Sequence, residues 1–283
     1  MLIQLDHVKK EYGDFTLELD MQIPENRVIG LIGANGAGKS TTFKLMLGLI
    51  RPDAGDVKVF EKKEGELSAE DRQKIGTVFS DSGFSEYLTV QQVGRIMQEF
   101  YSDFEPEQFY RRCEYFHIPQ KKKIKEFSTG MKAKLKILLA VSHDSRLLIL
   151  DEPTAGLDVI AREEILDLLR EYMEVPGRSV VLSSHISGDL EHFCDDLYMI
   201  DKGKIVLHEE TDRIMEEYGL LKMSEQEFTG LDKEYLLRVR KESFGYSCLT
   251  DQRTYYLENY PMIVNEKGNI DEVIAMLVKG ERV

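Results

Sequence analysis

The chain has 283 residues, of which 42% are hydrophobic and 31% are charged, and its formal net charge is −14 at pH 7. This composition is typical of a globular protein with a full core and excludes a disordered tail protein. The acidic balance argues against nucleic acid as a partner, because a negatively charged surface repels the phosphate backbone. Three cysteines without metal-ligand spacing indicate free thiols. The apolar stretches are all shorter than the roughly 20 residues that a membrane-spanning helix needs.

Two strands are predicted at the N-terminus, over residues 2 to 8 and 15 to 23, because apolar and polar residues alternate on both sides of a Gly13-Asp14 turn. This alternation favours an antiparallel edge, and the segment lacks the basic and apolar regions of a signal peptide. The next apolar run, residues 28 to 32, leads into a glycine-rich turn and then into a helix that ends at residues 51 to 55. We therefore expect a unit of strand, glycine loop and helix.

Further strand-like apolar runs occur at residues 75 to 79, 146 to 150, 179 to 183 and 197 to 200. Helical patterns lie between most of them, and this alternation predicts an α/β fold with a largely parallel central sheet. Residues 88 to 142 show helical patterning and are interpreted as an inserted helical subdomain. A hairpin-like segment follows at residues 201 to 209. We predict a first domain over residues 1 to 218 and a small α/β accessory extension over residues 219 to 283.

The segment GANGAGKS fits the phosphate-loop pattern G-x-x-x-x-G-K-[ST], with the required strand before it and helix after it. Its glycines let successive backbone N–H groups turn toward phosphate oxygens, and the helix N-terminus adds its positive dipole end. Lys39 is expected to reach the β- and γ-phosphates, and the Ser40 hydroxyl to ligate Mg²⁺. A glycine-rich turn without a ligand is the alternative. The predicted nucleotide-binding residues are Gly33, Ala34, Asn35, Gly36, Ala37, Gly38, Lys39, Ser40 and Thr41.

Two carboxylates, Asp151 and Glu152, follow the apolar strand RLLIL. Ligands of open α/β sheets bind at the carboxyl edge where such residues lie. Asp151 suits an indirect contact to Mg²⁺, through water or through another ligand, while Glu152 could polarise a water for in-line attack on a γ-phosphate. An acidic turn that merely ends the strand is the alternative.

Five motifs in chain order resemble those of the nucleotide-binding subunit of a bacterial ATP-binding cassette (ABC) transporter, of the drug and peptide exporter type. They are GANGAGKS, FSTGM, LLILDE, AGLD and SSH. The resemblance covers about residues 1 to 215. It implies a P-loop NTPase fold of the ABC ATPase type, with an antiparallel N-terminal edge, an inserted helical subdomain and a small C-terminal α/β extension. It also implies ATP and Mg²⁺ as cofactors.

The resemblance assigns roles to three further residues. Tyr12 matches the aromatic residue that stacks on adenine, although it could be an ordinary hairpin aromatic. His185 follows the strand SVVLSS and matches the switch histidine, which contacts the γ-phosphate and helps to hold the attacking water. Asp158 of AGLD matches the loop that links the catalytic sites of two subunits, and it could at the same time cap the helix that follows.

The family signature LSGGQ is replaced here by FSTGM, in which Ser128 and Gly130 are kept and Thr129 and Met131 are changed. The serine hydroxyl and the glycine N–H stand at the start of a helix, as an anion site requires. In the family these two residues contact the γ-phosphate held by the other subunit. The resemblance therefore implies a head-to-tail dimer with two ATP molecules at the interface, and Ser128, Thr129, Gly130 and Asp158 are predicted to contact the partner's ATP.

The sequence is thus interpreted as a cytoplasmic ATPase subunit, peripheral on the inner face of the cell membrane, that drives export through a separate ABC transmembrane permease. Its dimer could be a homodimer or a heterodimer with a second ABC ATPase. The alternative functions are a soluble ABC ATPase acting on ribosomes or DNA, and a regulatory ABC-type ATPase not engaged in transport. The first would carry a second cassette or a basic surface, and the second would lack Glu152 or His185.

One residue departs from the family pattern. Ser80 stands where the family has a glutamine that touches Mg²⁺ and reports to the membrane partner. Its hydroxyl could bind Mg²⁺ weakly, or Asp81 could do so through water. We hypothesise that Mg²⁺-ATP still binds but that hydrolysis is slow until the membrane partner orders this loop. An unchanged ATPase rate in Ser80→Gln, both alone and in the complex, would contradict the hypothesis.

Overall fold

The structure is a computed structural model, which describes residues 1 to 79 and 83 to 282, the side chain of Glu64 excepted. The strands are β1 Ile3–Tyr12, β2 Phe15–Ile23, β3 Val28–Ile32, β4 Ala54–Val59, β5 Lys62–Lys63, β6 Ile75–Val78, β7 Leu147–Asp151, β8 Ser179–Ser183, β9 Asp196–Asp201, β10 Lys204–Glu210, β11 Gly219–Met223, β12 Leu236–Glu242, β13 Gly245–Thr250 and β14 Val264–Lys267. The helices are α1 Lys39–Met46, α2 Ala69–Gln73, α3 Val90–Phe100, α4 Pro106–Tyr115, α5 Thr129–Ala140, α6 Val159–Met173, α7 Ser187–Phe193, α8 Thr211–Glu217, α9 Glu225–Gly230, α10 Arg253–Asn259 and α11 Ile270–Lys279.

Ten strands form one sheet in the order β5-β4-β1-β2-β10-β9-β3-β8-β7-β6. Strands β9, β3, β8, β7 and β6 are parallel neighbours, whereas β1 pairs antiparallel with both β2 and β4. The predicted α/β fold with antiparallel N-terminal strands is confirmed. The N-terminal strands were predicted to form the edge of the sheet, but β4 and β5 pair outside β1, so that β5 is the edge strand.

The parallel strands are short apolar runs because helices cover both of their faces. Side chains of β7 alternate between two cores: Leu148 and Leu150 join the core that contains α5 and α6, whereas Leu147 and Ile149 join the core that contains Phe43 of α1. All five residues of β3, β7 and β8 are buried in each strand. Loops that leave these strands therefore start from fixed positions.

Residues 88 to 142, predicted as an inserted helical subdomain, contain α3, α4 and α5. Strand β6 and α5 approach closely at Gly76, where an added Cβ would lie 2.4 Å from the carbonyl oxygen of Ala140. Because glycine has no side chain, α5 can lie this close to the sheet.

A second, four-stranded antiparallel sheet, in the order β12-β13-β11-β14, follows the predicted boundary at residue 218. Its helix α11 lies on α7: the Ser187 hydroxyl donates a hydrogen bond of 2.9 Å to Asp271, and the Ile270 N–H donates one of 3.5 Å to Glu191. Apolar residues of α11 share the core that contains Leu190 of α7. Within the described part of the chain, each helix is too short or too polar to cross a membrane.

We predict that Gly76→Ala lowers the free energy of unfolding by about 1–3 kcal/mol, because the added methyl group overpacks the contact between β6 and α5. Urea denaturation measures the change. The matched control is Gly65→Ala, since an added Cβ there meets nothing within 4 Å. Equal unfolding midpoints for the two variants would contradict the prediction.

Candidate functional site

A cleft of about 600 Å³ opens at the carboxyl edge of the parallel strands. One wall is the loop and helix after β3, from Ala34 to Lys44. The opposite wall holds Asp151 and Glu152 after β7 and His185 after β8, and Tyr12 and Phe15 of the β1–β2 hairpin form the rim. Four segments that are distant in sequence therefore meet in one cavity.

Two glycines give the loop after β3 its shape. Gly36 and Gly38 have φ values of 80° and 124°, a backbone region that residues other than glycine rarely adopt. An added Cβ on Gly38 would lie 2.6 Å from the Leu17 side chain. The loop therefore lies flat against β2 and turns directly into α1 at Lys39.

Lys39 is buried, and its ammonium group lies inside the loop. It donates hydrogen bonds to the carbonyl oxygens of Gly33 at 2.6 Å and Ala34 at 3.4 Å. Burial lowers the pKa of Lys39, while the charges of Glu152 and Asp151 act in the opposite direction. A positive charge thus stands at the centre of the loop, next to two carboxylates.

Asp151 connects the walls of the cleft. One carboxylate oxygen accepts a hydrogen bond of 2.9 Å from the Ser40 hydroxyl, and the other accepts one of 2.7 Å from the Ser183 hydroxyl. The Ser183 oxygen in turn accepts a hydrogen bond of 2.9 Å from the Glu152 N–H. Ser183 was not predicted as a site residue; its position follows from the pairing of Asp151 with Ser183 across β7 and β8.

The hydroxyl of Ser40 and the carboxylate of Asp151 fit Mg²⁺, which prefers oxygen ligands. The described residues contain no cluster of three or more His, Cys, Asp or Glu side chains that could hold a metal ion. Mg²⁺ in nucleotide sites is usually held by one or two protein ligands together with phosphate oxygens and water.

Glu152 has an unusual backbone conformation and a partly buried side chain, of which one carboxylate oxygen is fully buried. Its φ is 52°, in the left-handed region that costs energy for residues other than glycine. Its Oε1 lies 2.9 Å from Nε2 of His185, but this contact lacks hydrogen-bond alignment, so the buried oxygen has no hydrogen-bond donor among the described residues. Burial raises the pKa of Glu152, and the nearby His185 and Lys39 counteract this rise.

Some predicted site residues lie apart from the cleft wall. Gly33 packs against β9, where an added Cβ would be 2.4 Å from the Ile200 carbonyl oxygen, and Ala37 is buried in the core. Conversely, the prediction omitted Phe15 and Lys44, which line the cleft. Lys44 stands one helical turn after Ser40, a spacing that could have revealed it.

The FSTGM and AGLD segments meet each other outside the cleft. Ser128 is exposed and caps α5 by accepting a hydrogen bond of 3.3 Å from the Met131 N–H. Asp158 caps α6 by accepting one of 2.8 Å from the Ala161 N–H. An added Cβ on Gly130 would lie 3.6 Å from Ala161. Thus the N-termini of the two helices stand side by side.

Of the two remaining predicted site residues, the structure describes Thr129 but not Ser80. Thr129, the first residue of α5, is exposed beside Ser128. Ser80, the residue that replaces the family glutamine, lies outside the described residues, and so does Asp81. The hypothesis about coupling through that loop stays a prediction.

Comparisons with known proteins identify the family. The family model described as "ABC transporter" matches residues 17–155. The lantibiotic transport ATP-binding protein SrtF of Streptococcus pyogenes is 34% identical over 217 residues, which are 75% of this chain and 92% of that protein. The linearmycin resistance ATP-binding protein LnrL of Bacillus subtilis is 30% identical over 246 residues, covering 84% of this chain and 79% of that one.

Solved structures share the fold. An ATP-binding subunit of an ABC transporter superposes with a TM-score of 0.68 at 26% identity, over 76% of this chain and 92% of that one. A dimeric ATP-binding cassette bound to ADP and phosphate gives a TM-score of 0.65 at 22% identity, over 74% of this chain and 99% of that one. With SrtF 34% identical across three quarters of the sequence, the chain belongs to the family of ABC transporter ATP-binding subunits.

Proposed function

We propose that the chain hydrolyses Mg²⁺-ATP and that this reaction powers export of a substrate through a separate membrane-spanning partner. The observation that carries the proposal is the convergence of the phosphate loop, Asp151, Glu152 and His185 on one cleft. A loop that binds phosphates and a partly buried carboxylate opposite it are the two groups that in-line attack on a γ-phosphate requires.

The loop and Lys39 bind the phosphates in this proposal. Backbone N–H groups at the start of α1 and the Lys39 ammonium face the β- and γ-phosphate oxygens, where negative charge gathers in the transition state. Mg²⁺, held by Ser40 directly and by Asp151 directly or through water, would neutralise phosphate charge. Tyr12 and Phe15, at the rim of the cleft, would stack on the adenine.

Glu152 and His185 act on the attacking water. A carboxylate whose pKa is raised by burial is a better general base near neutral pH than an exposed one. The unpaired Oε1 of Glu152 can accept a hydrogen bond from the water, and His185 Nε2, 2.9 Å from that oxygen, can hold the water or the γ-phosphate in place.

The exposed Ser128, outside its own cleft, supports a head-to-tail dimer. The Ser128 hydroxyl and the N-terminus of α5, with Thr129 and Gly130, would contact the γ-phosphate bound by a second subunit. Asp158, adjacent to this segment, would then lie at the same interface. The second subunit is either another copy of this chain or a related ABC ATPase.

A second cavity, of about 1070 Å³, offers a surface on which a membrane partner could bind. It runs from Glu152 between α3 and α5 to Phe100, an apolar residue that is 68% exposed. We propose that an ABC transmembrane permease inserts a segment here, with the chain on the inner face of the cell membrane. The relatives' names, lantibiotic transport and linearmycin resistance, favour an antimicrobial peptide or drug as the exported substrate.

We predict that Glu152→Gln lowers the hydrolysis rate by at least about 100-fold, because it removes the general base while it keeps the shape of the site. With Mg²⁺-ATP the variant should accumulate as a dimer, measured by size-exclusion chromatography with light scattering. Two double variants test separately whether the dimer needs phosphate binding and whether it needs the Ser128 contact. Adding Lys39→Ala removes phosphate binding, and adding Ser128→Glu places a negative charge against the partner's phosphate, so both double variants should stay monomeric. Glu152→Gln that stays monomeric with Mg²⁺-ATP would contradict the proposed dimer.

We also predict a pH-dependent stability difference between the parent protein and Glu152→Gln. Burial raises the pKa of Glu152 above its ordinary value of 4.5, so the folded protein holds this proton more tightly than the unfolded chain. Glu152 therefore lowers the stability of the parent as pH rises from 4.5 through the raised pKa. Glu152→Gln should be the more stable protein at about pH 8, and the difference should shrink below the ordinary carboxyl pKa.

Urea unfolding midpoints across this pH range test the prediction. The exposed Glu99→Gln controls for the loss of one negative charge. A stability difference between Glu152→Gln and the parent that does not change with pH would show that burial of Glu152 carries no such cost.

A further inference from the structure

Asp189, in the first turn of α7, has a carboxylate that the chemistry above does not use. Its side chain is 0% exposed. An ionised carboxylate is costly to bury unless donors surround it, and this one has three. Arg162 Nε donates to Oδ1, while the Thr154 hydroxyl at 2.6 Å and the Ser184 hydroxyl at 3.2 Å donate to Oδ2.

Each donor belongs to a segment that carries a site residue. Thr154 stands two residues after Glu152, and Ser184 stands one residue before His185. Arg162 lies in the first turns of α6, four residues after Asp158. The carboxylate of Asp189 therefore joins the segments that carry Glu152, His185 and Asp158.

The backbone on both sides of His185 is tied to the same residue. The Ser184 hydroxyl, which donates to the Asp189 carboxylate, also accepts a hydrogen bond of 3.0 Å from the Ile186 N–H. The Asp189 N–H donates a hydrogen bond of 3.0 Å to the Ile186 carbonyl oxygen. The His185 side chain is itself 49% exposed, so packing covers it only in part. Its position depends on the residues that flank it.

We propose that Asp189 is a positioning residue for hydrolysis: it holds the loop of His185 at a fixed distance from Glu152. This inference rests on the proposed function, since the role of His185 comes from it. Asp189 is too deeply buried to touch nucleotide. Its loss should therefore lower kcat, through misplaced His185, and leave the KM for ATP nearly unchanged.

Two substitutions alter the hydrogen bonds of Asp189 while they keep side-chain size, and a third tests the hydroxyl of Thr154. Asp189→Asn removes the charge, and Thr154→Val removes one donor; each should lower kcat by about 10-fold or more, with KM changed by less than about threefold. Thr154→Ser keeps the hydroxyl and should recover most of the kcat that Thr154→Val loses. Asp71→Asn is the matched control, because Asp71 is a buried, ion-paired carboxylate outside both cavities, and its kcat should equal that of the parent.

A double-mutant cycle with His185→Ala separates positioning from general loss of structure. If Asp189 acts through His185, then Asp189→Asn should change kcat by less than about twofold in the His185→Ala background. All assays use the full chain, with Mg²⁺-ATP varied from below KM to saturation so that both kcat and KM are determined, and circular dichroism confirms that each variant is folded.

The outcomes are distinct. If His185→Ala lowers kcat and Asp189→Asn either has no effect alone or lowers kcat equally in both backgrounds, the positioning role is wrong and the proposed function stands. If His185→Ala leaves kcat unchanged, the role of His185 in the proposed function is wrong, and the inference for Asp189 falls with it. Loss of kcat in Thr154→Ser equal to that in Thr154→Val would also overturn the inference.

Discussion

The site depends on the parallel pairing of β3 with β8 and of β8 with β7. This pairing places Leu31 beside Ser183 and Ser183 beside Asp151, so three loops start at the same edge of the sheet. The strands are buried on both faces and cannot slip by one residue without moving every side chain to the opposite core. The sheet therefore sets where the segments that carry Lys39, Asp151 and His185 begin, and hydrogen bonds between these segments, such as that from Ser40 to Asp151, then set the distances between the side chains.

Hydrogen bonds then fix the direction of the site's groups. The single proton of the Ser183 hydroxyl goes to Asp151, so its oxygen is left to accept from the Glu152 N–H. This bond holds Glu152 in its left-handed backbone conformation, with φ of 52°. Such strain persists where surrounding contacts determine it, and here it turns the Glu152 carboxylate away from the strand direction and toward His185.

Sequence patterns predicted the elements whose residues are apolar throughout or strictly alternating. Strand β8 was predicted at its observed bounds, and β1 and β2 were predicted around the correct turn. Strand β4 was missed because its first three residues, Ala54 to Asp56, are exposed and resemble a turn. The family resemblance located Tyr12 and His185, which composition and periodicity alone would not have found.

Ser183 and Asp189 escaped prediction for a different reason. Their roles arise from pairing between residues far apart in sequence, such as Thr154 with Asp189, and a single sequence contains no signal for such pairs. A serine at a strand end and an aspartate in the first turn of a helix have ordinary local explanations, as a hydrogen-bonding strand terminus and a favourable helix-dipole charge.

The open side of the cleft gives a physical reason for the proposed dimer. Tyr12 is 47% exposed and the His185 side chain 49% exposed, so water reaches the site in one subunit. Water screens the field of Lys39 and competes for the γ-phosphate. A second subunit that brings Ser128 and the N-terminus of α5 over the cleft would exclude water and add a positive dipole end where charge develops. Hydrolysis would then be fast only in the closed dimer, and loss of the γ-phosphate would remove the group that both subunits bind.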